Sequence, residues 1–267
     1  MKSIFIAIIF ISIAVNTQAY SQQKINDFYL SNFKEDGTHD WEVRGVEAMV
    51  YDEYVDIEKM NAHYYLEDDT IQITSDSARL NKENMDVHLE NNVNITNKEG
   101  ARIITDSLDW QNSKNLIHTQ DWVKATRDEM QITAQGMSAD TEMQSADFKK
   151  DVEVSFPDQE TKIPITANCT GPLEIEYSEG KAIFHDDVVV THVQGKVYSD
   201  KCTLFFNTET KAIIKIVSEG NVKIFRDGSE TYAEQATYFG PEDKLVLEGR
   251  PRLIYYIEEG NSSLGGL

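Results

Sequence analysis

TIQITSDSARLNKENMDVHLENNVNIT, residues 70–96, decides the fold. Thr70-Ile71-Gln72-Ile73-Thr74 alternates apolar and polar side chains, as do Asp86-Val87-His88-Leu89 and Val93-Asn94-Ile95. A period of two belongs to a strand with one dry face and one wet face. Two signatures are embedded in the same stretch. Ile73-Thr74-Ser75-Asp76 runs from an aliphatic residue through small or polar ones to an acid, and Glu90-Asn91-Asn92-Val93 runs from polar residues to an aliphatic one.

Both signatures recur along the chain. The first returns as Ile104-Thr105-Asp106, Ile132-Thr133-Ala134-Gln135, Ile165-Thr166-Ala167-Asn168, Val197-Tyr198-Ser199-Asp200 and Thr231-Tyr232-Ala233-Glu234. The intervals between their last residues are 30, 29, 33, 32 and 34. The second falls between them, for example as Lys149-Lys150-Asp151-Val152, His185-Asp186-Asp187-Val188 and Glu219-Gly220-Asn221-Val222. A fixed period of this size marks a solenoid-like stack. Each unit supplies one strand of each kind joined by turns, and stacked units give two facing sheets with an apolar space between. Asn97-Lys98-Glu99-Gly100, Ser178-Glu179-Gly180-Lys181 and Arg226-Asp227-Gly228-Ser229 are the clearest turns. The acid pairs Asp68-Asp69 and Asp186-Asp187 are also expected in turns. No stretch has a helical period, and Val46 to Tyr54 reads as strand. The most linker-like interior segment is 156–162, which divides the body into residues 41–157 and 162–257.

Composition narrows the function. The 267 residues carry a formal charge of −21 and are 40% hydrophobic. That supports a core and argues against nucleic acid as a partner, since phosphate neutralisation needs clustered Lys and Arg. Lys2 followed by the apolar stretch Ile4–Val15, then Thr17-Gln18-Ala19, fits an export signal over residues 1–19 or a short N-terminal anchor. Residues 258–267 read as a disordered tail. Catalytic and metal motifs are absent: no His-Glu-x-x-His, Cys-x-x-Cys, Gly-x-Ser-x-Gly or phosphate loop occurs, and nothing calls for a cofactor. Cys169 and Cys202 are one repeat apart. One alignment places them on adjacent strands and the neighbouring register on opposite faces, so a disulfide stays open.

The second half resembles the LptA/OstA family of periplasmic lipopolysaccharide-transport proteins. The resemblance rests on Pro164-Ile165-Thr166-Ala167-Asn168, His185-Asp186-Asp187-Val188-Val189-Val190, Ser218-Glu219-Gly220-Asn221-Val222-Lys223-Ile224, Ala233-Glu234-Gln235-Ala236-Thr237-Tyr238 and Leu245-Val246-Leu247-Glu248-Gly249-Arg250-Pro251. The first half resembles LptC through Trp41-Glu42-Val43, Ile73-Thr74-Ser75-Asp76-Ser77-Ala78, Asn92-Val93-Asn94-Ile95 and Gly100-Ala101-Arg102-Ile103-Ile104-Thr105-Asp106-Ser107-Leu108-Asp109-Trp110. LptC and LptA are usually separate chains and here look fused. The resemblance implies an all-β twisted β-jellyroll in two stacked halves. It implies a periplasmic role, with the N-terminal segment as a tether to the inner membrane where it is retained. It implies lipopolysaccharide as cargo, the inner-membrane lipopolysaccharide ABC transporter and the outer-membrane lipopolysaccharide translocon as partners, and end-to-end self-association by strand addition.

A lipid carrier needs an apolar groove. The inward-facing candidates are Ile73, Val93, Ile95, Leu108, Trp110 and Val123 in the first half. In the second half they are Val188, Val190, Val197, Leu204, Phe206, Val222, Ile224 and Tyr238. Burying each CH₂ is worth about 0.8 kcal/mol, so acyl chains can supply the affinity while an anionic head faces solvent. The competing readings are a closed core in a non-catalytic exported β-repeat scaffold or adhesion protein, and a carbohydrate-active β-helix enzyme with paired acids.

Overall fold

The structure is a computed structural model and describes residues 22–67, 69–140, 145–157, 163–210 and 212–256. The first half holds β1 (Gln23–Phe33), β2 (His39–Val50), β3 (Tyr54–Tyr65), β4 (Thr70–Asn81), β5 (Val87–Thr96), β6 (Arg102–Gln111), β7 (Leu116–Arg127), β8 (Met130–Asp140) and β9 (Ser145–Pro157). The second holds β10 (Pro164–Cys169), β11 (Leu173–Glu176), β12 (Lys181–His192), β13 (Gly195–Phe206), β14 (Ile213–Arg226), β15 (Ser229–Phe239), β16 (Lys244–Glu248) and β17 (Arg252–Tyr255). Each of β1 to β8 pairs antiparallel with the strand that follows it. The short β10 and β11 lie end to end in a single strand position between β9 and β12, and β16 and β17 do the same along β15. The result is one 17-stranded sheet, the all-β architecture expected of a jellyroll.

Most of the strands are longer than the alternation predicts because they cross a corner; the short β10, β11, β16 and β17 each stay within one layer. The second signature is not a turn between strands: Glu90-Asn91-Asn92-Val93 lies inside β5, where the register with both neighbours shifts. Asn91 and Asn92 have φ of 63° and 54°. Successive left-handed residues make a bulge that bends the strand, and Asn, Asp and Gly tolerate that conformation best. Asp186-Asp187 forms the same device in β12, not the expected turn, and Gly220-Asn221 forms it in β14. The acid ending the first signature caps the bulge on the next strand. Asn92 Nδ2 donates to Asp76 at 2.6 Å, and Asn221 Nδ2 donates to Asp200 at 2.9 Å. The alternating signatures are therefore two sides of one corner, repeated along the sheet.

The corners fold the sheet into two layers. Positions such as 70–74, 93–96 and 102–105 form the first layer, and 77–81, 87–90 and 107–111 the second. Side chains from both interdigitate in a common core. Opposite the corner lies a seam. Tyr64 of the first layer meets Trp110 of the second across it, edge to face, with ring centroids 6.1 Å apart.

Several expectations change. β1 extends the sheet upstream of Trp41 and pairs with β2 along nearly its whole length. The stretch read as a linker joins paired strands, with Pro157 opposite Pro164. Val46 to Tyr54 is the end of β2, the connection 51–53 and the start of β3. The export signal or anchor over 1–19, the tail over 258–267 and Asp68 lie outside the described residues. Among the described residues no helix is long and apolar enough to cross a membrane.

Candidate functional site

Cross-strand pairing aligns the inward side chains into two stripes. In the first layer, directly opposed residues run Leu30, Val43, Ala62, Ile73, Ile95, Ile103, Ala125, Ile132 and Val154 across β1 to β9. The stripe continues without a break through Ala167, Val190, Val197, Ile224, Thr231 and Leu253. In the second layer it runs Val87, Trp110, Ile117, Ala139, Ala146, Ile175, Ala182, Leu204, Ile216, Tyr238 and Leu245. Fifteen residues from fifteen strands share one face only if every strand keeps its register, which a single slip would destroy.

The sequence-derived candidates sort onto this frame. Ile73, Ile95, Val190, Val197 and Ile224 lie on the first stripe, and Trp110, Leu204 and Tyr238 on the second. Phe206 stands one inward position nearer the seam than Leu204. Val93, Leu108, Val123, Val188 and Val222 are fully buried beside the corner, where they close the core. Burial falls along the stripe: Ala167 is buried, Val190, Val197 and Ile224 are half-buried, and Leu253 is 68% exposed. The stripe is likewise open at its other edge, where Leu30 of β1 is 38% exposed.

A cavity of about 510 Å³ opens between the layers around β4–β9 and β11. That is within the usual range for a ligand pocket. Its first-layer wall is Ile71, Ile95, Ile103, Ala125 and Ile132, and its second-layer wall is Met137, Ala139, Ala146, Phe148 and Ile175. Of the sequence-derived candidates only Ile95 lines it. Ile103 and Ile175 follow the same alternation and were legible; Met137 and Phe148 carried no signal of their own.

The mouth is polar. Arg127 Nη2 pairs with Glu99 at 2.7 Å, and Nη1 donates to the Tyr177 hydroxyl at 3.5 Å. The guanidinium also lies over the Tyr177 ring, 5.5 Å from its centroid. Arg127 belongs to the first layer and Tyr177 follows β11 of the second, so this contact spans the seam. Asp69, also at the mouth, accepts from the backbone N–H of Thr70 and Lys98 and from the Asn97 amide. Burial would raise its pKa, but those hydrogen bonds outweigh it and hold the carboxyl below its ordinary value.

Cys169 and Cys202 are buried free thiols. The disulfide left open by the sequence is not made. β12 lies between their strands, pairing with β10 on one side and β13 on the other. Two strand spacings are about 9.5 Å, beyond the roughly 7 Å limit between Cα atoms for a bridge. Burial pushes both thiols up to about 11. Among the described residues no three His, Cys, Asp or Glu side chains gather as a metal-ligand set.

Residues 8–156, more than half of the chain, match the LptC-related lipopolysaccharide-assembly family. The chain belongs to the LptC family. Residues 165–266 match a second description, LptA/(LptD N-terminal domain) LPS transport protein. This LptC-family chain is thus an LptC-like half fused to an LptA-like half, and both halves place it in periplasmic lipopolysaccharide transport. Such families are transport proteins and not enzymes. No curated protein matches the chain.

Proposed function

We propose that this LptC-family chain is a covalently fused segment of a periplasmic bridge, holding lipopolysaccharide by its acyl chains between the two layers. The observation that carries this reading is the apolar stripe passing from Val154 to Ala167, from one family's half into the other's, without a break. Separate proteins would need to meet edge to edge at that point; here β9 pairs directly with β10 and β11. Each buried CH₂ contributes about 0.8 kcal/mol, spread over many similar positions, so a chain can be held and still slide. The acidic exterior keeps an anionic head at the seam, facing solvent.

Residues 1–19 direct export, and cargo moves from the inner-membrane lipopolysaccharide ABC transporter towards the outer-membrane translocon. Among the described residues the sheet has two free edges, β1 at one end and β16 with β17 at the other. Tyr29, Phe33, Leu253 and Tyr255 are exposed there. These edges suit strand addition by neighbouring bridge components or by a second copy.

The test is ultraviolet crosslinking in cells with a photoreactive residue at Ile175, Val190 or Ile224 and an outward-facing control at Lys223. The expected result is a lipopolysaccharide adduct at the interior positions and none at the control. A folded, exported protein with no interior adduct would return the molecule to the scaffold reading.

A further inference from the structure

We propose that the Arg127 guanidinium selects amphiphiles with a phosphate headgroup, reading the head at the cavity mouth while the chains occupy the apolar interior. This rests on the carrier reading above and adds a specificity element to it.

Arg127 is a charged residue in an apolar row. Ala125, two positions earlier on β7, opposes Ile103 and Ile132 inside the cavity. Alternation brings Arg127 back to that same face, opposite Met130. A stripe that serves only to pack would place an apolar residue there. The side chain instead carries its fork to the seam, with its stem lying along the cavity lip.

The fork is held but not saturated. The Tyr177 ring and hydroxyl orient it from the opposite layer. Its charge partner, Glu99, is 63% exposed, and exposed pairs of this kind are weak. A phosphate offers more charge and matches the guanidinium's planar fork, so it can displace a single exposed carboxylate. The other charges at the mouth are otherwise engaged. Asp69 accepts three hydrogen bonds within its own loops, and Arg102 donates to Asn94 on the outer face of the sheet. Glu99 is therefore the competitor for the site, and Arg127 its reader.

The experiment measures binding of dodecyl phosphate, dodecyl glucoside and inorganic phosphate to the full chain at fixed pH and salt. The unmodified protein should prefer dodecyl phosphate over dodecyl glucoside by about tenfold, the size of a charge-assisted hydrogen-bonded contact. Arg127→Gln should bring that ratio close to one. Glu99→Gln should raise it by about threefold, because it removes an exposed competing ion-pair partner. A purely structural Arg127–Glu99 pair would make both variants lose binding together. Inorganic phosphate should not compete at concentrations where dodecyl phosphate saturates. An unchanged ratio in Arg127→Gln, or competition by inorganic phosphate, would overturn the headgroup site alone. Binding of neither amphiphile would overturn the carrier reading and the site with it.

Discussion

His88 shows how a half-exposed residue on the outer face couples stability to pH. Its Nδ1 lies 2.6 Å from Asp109 Oδ1 and its Nε2 lies 3.1 Å from Glu90 Oε1. Burial alone would lower its pKa, but the two carboxylates outweigh burial and raise it above the ordinary 6.5. A raised folded-state pKa means that the protonated ring stabilises the fold. That contribution is complete below about 6.5 and fades as pH climbs through the higher folded value. The ring is 41% exposed, so solvent screening limits the effect to about 0.5–1 kcal/mol. His88→Gln should therefore lower the urea midpoint clearly at pH 5.5 and hardly at all at pH 9. Equal losses at both pH values, or a larger loss at pH 9, would refute the coupling.

At the scale of the element, the corner is the unit that organises the long strands. Gly220 and Gly228 separate its two requirements. Both have positive φ, 75° and 74°. A Cβ at Gly220 would collide with the Asp200 side chain, whereas Gly228 faces open space. Gly228→Ala should cost about 1 kcal/mol, for backbone strain alone. Gly220→Ala should cost about 2–4 kcal/mol, because strain is joined by overpacking of the corner. Thermal unfolding of the two variants measures the difference, and equal losses would show that the corner does not depend on close approach. The corner also explains what the sequence could and could not show. A bulge and a turn both select Asn, Asp and Gly, so Asp186-Asp187 read as a turn although it lies in the middle of a strand. The alternation survives on each side of the bulge, which is why all fourteen candidate groove residues were found on inward faces. How deep each one sits depends on its distance from the corner, and that separated the closed Val93 and Val123 from Ile95. β1 escaped notice for a related reason. Asp27 has a left-handed φ of 52° and puts Ile25 and Phe28 three apart, breaking the period. Arg127 and Tyr177 are 50 residues apart, and only the folding of the two layers brings them together.

At the scale of the whole molecule, the family matches and the physical sheet divide the chain differently. The LptC match ends at residue 156 and the LptA/LptD match begins at 165, which suggests two parts. The hydrogen bonding shows none: β9 is paired along both of its segments by β10 and β11, and both of those pair onward with β12. Long stacked sheets can lose cooperativity when one interface is weak. This junction is not weak, since Leu173 is 1% exposed and opposes Phe148 of β9 and Phe184 of β12. Leu173→Ala should cost about 2–5 kcal/mol through the cavity it leaves. If the sheet is one cooperative body, amide protection should fall together in β5–β6 and in β13–β14, on either side of the substitution. Loosening confined to the C-terminal half would mean that the two halves fold as separate units that happen to touch. A carrier in which chains slide across the junction needs the first outcome, because a groove floor that opened independently on one side would release its cargo at the point where it must pass.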